Sequence, residues 1–162
     1  MLDMRSEDRQ PGTVAWKLIQ PHWDAVSIHD GAAKFLEEFG RLSEPVQHLF
    51  AVWWCDSEVC NGGLYQFFYN STGVLAPEAL RGFRATGLGE CAAIVETAVG
   101  KLARPYPRER KTRQVALQSI KLPGEKRKDW DPFDQLDDRY YAARSREDFH
   151  RALDIYASRH AQ

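Results

Sequence analysis

Residues 58–73 read EVCNGGLYQFFYNSTG, and the pair of glycines at their centre decides how the chain folds. Gly62 and Gly63 carry no side chain, so they let one helix end and the next start at a close angle. Upstream, Val46, Leu49, Phe50, Trp53 and Cys60 recur at helical steps, one inward stripe on a helix that Ser43 caps and Pro45 tolerates in its first turn. This helix is expected to run to about Asn61. A shorter one, Leu64–Asn70, follows and inserts Phe67 and Phe68 into the core beside Trp53 and Val46.

Helical spacing continues in both directions, and no alternating strand-like run occurs. A first helix is expected at Val14–Ile19, with Pro21 breaking it and starting a second segment through Trp23 and Val26. Asp30 is the expected N-cap of a helix bearing Phe35, Leu36 and Phe39, stopped by Gly40. Pro77 opens a helix that ends near Gly87. Leu88–Lys101 is the most regular, with Leu88, Cys91, Ile94, Val95, Ala98 and Leu102 inward. Arg104–Pro107 reads as a stiff connector, Arg108–Ile120 as a basic helix and Pro123–Lys128 as a polar loop. Asp131 is the expected cap of a helix with Pro132 at its first position, ending at Ala143. Ser145 and Asp148 resemble a capping box for a last helix with Phe149, Leu153 and Tyr156 inward. The expectation is an all-α domain of seven or eight helices over residues 13–162, after a flexible N-terminus, residues 1–12.

A chain of 162 residues buries enough surface to fold without a disulfide or metal. The start, MLDMRSEDRQPG, lacks the apolar core of an export signal. The apolar run Leu49–Cys55 is too short to span a bilayer. A cytoplasmic protein is the expectation. Three cysteines, Cys55, Cys60 and Cys91, are then free thiols acting as small hydrophobes, without zinc-ligand spacing. No cofactor fingerprint, phosphate loop or nucleophile elbow occurs, and no residue is assigned as catalytic.

The net charge is −1, but nine Lys or Arg against two Glu fall within residues 104–128, between acidic flanks. Arg104, Arg108, Arg110, Lys111 and Arg113 form a basic strip, extended by Lys121, Lys126, Arg127 and Lys128. A pI near 6.5 argues against direct nucleic-acid binding, and basic runs are more often solvated faces. Asp129, Asp131, Asp134, Asp137 and Asp138 form an acidic patch, within which Asp134, Asp137 and Asp138 share a helix face. They either present carboxylates to a partner or cap a helix and pair with Lys126, Arg127, Lys128 or Arg139.

The pattern ExxNGGxxQFFxN, Glu58 to Asn70, resembles the signature of a bacterial family of domains of unknown function that includes a DNA-mimic protein. The helix start Pro77-Glu78-Ala79-Leu80 and the segment FDQLDDRYY from Phe133 to Tyr141 match it too. The resemblance covers about residues 43–158. It implies a compact helical domain with no assigned enzymatic activity, and it supplies no catalytic residue. A mimic spaces carboxylates like phosphates to fill a basic DNA-binding groove. The implied partner is therefore a protein, with a DNA-binding protein as the specific case.

Two readings of the corner remain open. In the first, Asn61, Gln66 and Asn70 satisfy backbone groups where two helices meet, since each amide both donates and accepts. In the second, they line a pocket with Glu58, Gly62 and Gly63. An enzyme at that pocket would use Glu58 as base with His48 or Asn61 polarising a substrate. His48 is ten residues earlier, about 15 Å away along a straight helix, which weakens that pairing. Oligomeric state is not written in the sequence.

Overall fold

The computed structural model describes residues 14–120 and 130–161. Eight α-helices make up most of them, and no strand occurs among the described residues, so the fold class is all-α as expected. They are α1 (Val14–Trp23), α2 (Ala32–Phe39), α3 (Glu44–Tyr69), α4 (Ala76–Ala85), α5 (Gly89–Val99), α6 (Arg110–Gln118), α7 (Asp134–Arg146) and α8 (Phe149–His160). A 3-10 turn, Ser71–Leu75, joins α3 to α4.

α3 is the hub, with α1, α4, α6, α7 and α8 packed around it. Its apolar stripe explains why: Leu49, Val52, Cys55, Val59, Leu64, Phe67 and Phe68 are all fully buried. Burying one such large side chain contributes roughly 1.5–3 kcal/mol. Two groups of rings fill the space between helices. Trp16 lies 5.5 Å from Trp53, and Trp23 lies 5.1 Å from Phe50. Phe68 lies 5.4 Å from Phe67 and 5.3 Å from Phe133. The stripe expected along α5, from Leu88 to Leu102, is buried throughout.

Several helix ends differ from expectation. Pro21 does not break α1, which continues to Trp23. Only the last turn loses a bond, and the Trp23 ring, packed on Trp16, Phe50 and Trp54, holds that turn in place. Gly31, at φ 89°, is the N-cap residue of α2. Asp30 instead pairs with Lys34 at 2.9 Å. α7 starts at Asp134 rather than Pro132, because Asp131 Oδ1 accepts the Phe133 N–H at 2.8 Å and closes a turn first. Ser145 lies inside α7, and Asp148, at φ 50°, makes the turn into α8. Cys60 is exposed, whereas Cys55 and Cys91 are buried. Trp54, half-buried, stacks on Trp23 with ring centres 4.6 Å apart. The expected flexible segment 1–12, the loop 123–128, Asp129 and the basic residues Lys121, Lys126, Arg127 and Lys128 lie outside the described residues.

Over its described part the basic segment is split: Arg104, Arg110 and Lys111 are exposed, whereas Arg108 and Arg113 turn inward. It closes the C-terminal end of α3. The last carbonyls of a helix have no partner within it, and they carry partial negative charge. Arg113 is fully buried, and its guanidinium donates to Phe68 O at 2.5 Å, Asn70 O at 2.7 Å, Arg108 O at 2.7 Å and Pro107 O at 3.2 Å. Arg110 and Gln114, on the same helix, each donate to Tyr69 O at 3.1 Å. Arg108 donates to Val74 O and forms a two-point ion pair with the buried Glu78. Val115 is 62% exposed because α6 turns its arginine face to α3.

Candidate functional site

The glycine pair interrupts α3: neither glycine has helical dihedral angles, so one helical segment ends near Asn61 and a second begins at Leu64, as expected. Gly62 has φ −158°, an extended value open to any residue, whereas Gly63 has φ 79° and ψ 177°, a region that only glycine occupies readily. The helix restarts at Leu64, whose N–H has no helical acceptor. Asp137 of α7 supplies one, with Oδ1 2.8 Å from that nitrogen. A Cβ on Gly63 would collide with the same carboxylate.

This contact takes Asp137 out of the expected acidic face. Asp134 and Asp138 are exposed, but Asp137 is buried. Burial pushes its carboxyl up to about 6, against the pull of the Leu64 N–H. The folded-state value is raised, so its contribution to stability is complete below pH 3.8 and is lost as pH rises through about 6. The whole loss amounts to about 3 kcal/mol, of which about 2 kcal/mol falls between pH 4.5 and pH 7. Asp137→Asn keeps an acceptor for Leu64 and removes the titration. Chemical denaturation at pH 4.5 and pH 7 will show the variant gaining stability over wild type by that amount between the two. An unchanged difference would mean that the carboxyl titrates normally.

On the outer side of the kink, Glu58 collects three donors. Gln66 Nε2 lies 2.6 Å and Asn70 Nδ2 3.1 Å from Oε2, and Thr72 Oγ1 lies 3.0 Å from Oε1. Gln66 and Asn70 thus bind a side chain, not the backbone groups first assigned to them. Asn61 is exposed and makes no side-chain hydrogen bond among the described residues. All three donors are neutral, and no ion pair reaches Glu58 among the described residues. Two other buried carboxylates are paired with a cation: Asp56 with Arg144 at 2.6 Å, and Glu78 with Arg108 at 2.6 Å, whereas Asp131 and Asp137, like Glu58, accept only neutral donors among the described residues.

This cluster forms one wall of an open cleft of about 690 Å³. Glu58, Asn61, Gly62, Gln66 and Asn70 all line it; Gly63 does not, being turned toward α7. Trp54, Tyr65 and Tyr69 supply aromatic surface, with the Tyr65 and Tyr69 rings stacked at 6.1 Å. Arg110 reaches the rim, its guanidinium 5.8 Å from the centre of the Tyr69 ring. Asp131 lines the cleft from the chain segment before α7, and burial raises its carboxyl above the usual range. The corner is therefore a hydrogen-bonded joint and a cleft wall at once.

Of the two partners weighed for Glu58, Asn61 lines the same cleft and His48 does not. His48 bonds Tyr156 at 2.8 Å through Nδ1 and faces Glu44 through Nε2, in a separate group of side chains. Burial pushes the Cys55 and Cys91 thiols up, and partial desolvation beside the Asp56 carboxylate raises the more exposed Cys60 to about 12, so none is a thiolate near neutral pH. Carboxylate oxygens of Asp131, Asp134 and Asp137 lie within 4.8 Å of one another and could converge on a cation, although Asp131 and Asp137 each already accept a backbone N–H.

Sequence reasoning did not reach Thr72, Tyr65, Tyr69, Arg110 or Asp131 as cleft residues. Tyr65 and Tyr69 were within reach, since they stand four apart on the helix face shared with Asn61 and Gln66. Thr72 arrives only because the 3-10 turn folds back. The Asp56–Arg144 pair, with Tyr140 donating to Asp56 at 2.9 Å, was equally hidden, its partners lying 84 and 88 residues apart.

Among the described residues, no helix is long and apolar enough to cross a membrane. No curated protein and no solved structure matches the chain. The family model described as DMP19-like protein matches residues 40–160, most of the chain, and the chain belongs to that family.

Proposed function

We propose that this DMP19-like chain is a non-catalytic binding module that engages another protein through the face carrying the glycine-corner cleft. The carrying observation is Glu58: a carboxylate without a countercharge, fixed by three neutral donors at the wall of an open cleft. Three of its lone-pair positions are already occupied, which makes it an anchor rather than a proton acceptor. Asp131 adds a second carboxyl to the cleft, and the exposed Asp134 lies close to it. That charge suits a basic partner surface, and the kinship with a DNA-mimic protein supports a DNA-binding protein as the partner.

Affinity capture with the tagged full chain from its native host tests the reading. A specific partner that gives up DNA when this chain is added supports it. Recovery of no specific partner counts against it. The cleft's volume also suits a small molecule, as ligand pockets measure roughly 300–1,000 Å³. That second reading predicts thermal stabilisation by a metabolite in a ligand screen.

A further inference from the structure

We infer that the cleft receives a guanidinium group, the side chain of an arginine carried on a partner protein. The inference rests on the binding-module reading and specifies what its site recognises. Charge complementarity is the first argument. Among the cleft-lining residues, Glu58 and Asp131 are carboxylates and Arg110 is the sole Lys or Arg. Arg110 is already engaged by Tyr69, through both its carbonyl and its ring, and forms no ion pair with either carboxylate. A partly buried carboxylate without a cation is costly, and an incoming cation relieves that cost.

Shape and ring chemistry narrow the cation to a planar one. A guanidinium stacks on aromatic faces, whereas an ammonium remains strongly hydrated. Tyr65 and Tyr69 form a stacked pair beside Glu58, and Trp54 adds a third ring. Arg110 over Tyr69 shows that the rim already holds one guanidinium in this way. On Glu58, Oε2 has accepted two hydrogen bonds and Oε1 one, so Oε1 retains an acceptor position for an incoming N–H.

The test titrates the full chain with the peptide acetyl-Gly-Gly-Arg-Gly-Gly-amide, its citrulline counterpart and free arginine amide, followed by amide NMR. Saturable shifts at Glu58, Gly62, Gln66 and Asn70 are expected with both arginine compounds and absent with citrulline, which keeps the shape and loses the charge. Stronger binding of the peptide than of arginine amide assigns the site to a polypeptide; the reverse overturns that part of the inference. Glu58→Gln should weaken binding about tenfold or more, as loss of a charge-assisted bond does. If that change disturbs the fold, Asp131→Asn, whose side chain can still accept the Phe133 N–H, provides the second variant, with about threefold weakening expected. Equal shifts with citrulline, shifts elsewhere on the surface, or no effect of either variant would overturn the inference. A captured partner bound equally by wild type and Glu58→Gln would sink the guanidinium site while leaving the binding module standing. Arginine binding without any partner would do the opposite.

Discussion

Arg113→Ala will leave the chain largely unfolded at 37 °C, the most damaging single change expected. The guanidinium is fully enclosed and satisfies four backbone carbonyls, from Phe68, Asn70, Pro107 and Arg108. Removing it strands those acceptors and opens a hole in a packed interior. Each unsatisfied buried group costs about 1–3 kcal/mol, although some will find water. A loss of about 4 kcal/mol or more is comparable with the whole stability of many domains. Arg113→Lys should cost about half as much, because a single ammonium cannot span the fork of acceptors. Urea denaturation followed by circular dichroism reads both. A loss under about 1 kcal/mol for the alanine variant would show that the carbonyls do not depend on this side chain.

Gly63→Ala comes second, at about 3–4 kcal/mol. Its backbone conformation, φ 79° and ψ 177°, alone costs an L-residue about 1–3 kcal/mol. The new methyl also meets the Asp137 carboxylate, which must then release the Leu64 N–H. Gly62→Ala is the control. Its φ of −158° suits alanine, and its methyl would meet the side chain of Gln66, displacing the flexible amide end and pressing on Cβ at 3.2 Å. It should therefore cost about 1 kcal/mol or less while pushing Gln66 away from Glu58. Similar stability losses for the two variants would show that space, not backbone conformation, is what the pair provides.

These two residues mark how far the sequence could be read. Gly62-Gly63 was legible because a glycine pair between two apolar helical stripes is a local signal, and local signals survive without tertiary knowledge. The α5 stripe was legible for the same reason. Arg113 was not: its neighbours Arg108, Arg110 and Lys111 made it look like one more solvated cation, and nothing nearby in sequence announces carbonyls more than 40 residues away. Asp137 misled in the opposite way. Its spacing from Asp134 and Asp138 suggested one face, but a helix packed at a slant buries one residue of such a trio and exposes the others. The corner's membership in a site was partly visible, since Glu58, Gln66 and Asn70 share helical spacing. Thr72 and Asp131 were hidden by chain reversals that no periodicity records.

The clasp of α6 on the end of α3 has a further bearing on motion. Helix ends ordinarily fray, opening and closing far more often than their middles. Here Phe68, Tyr69 and Asn70 are all gripped through their carbonyls by α6, so the last turn cannot unwind without lifting that helix away. The wall that bears Gln66, Tyr69 and Asn70 is thereby kept rigid from behind, and a visitor to the cleft meets a surface already set in shape, with little ordering entropy left to lose on arrival.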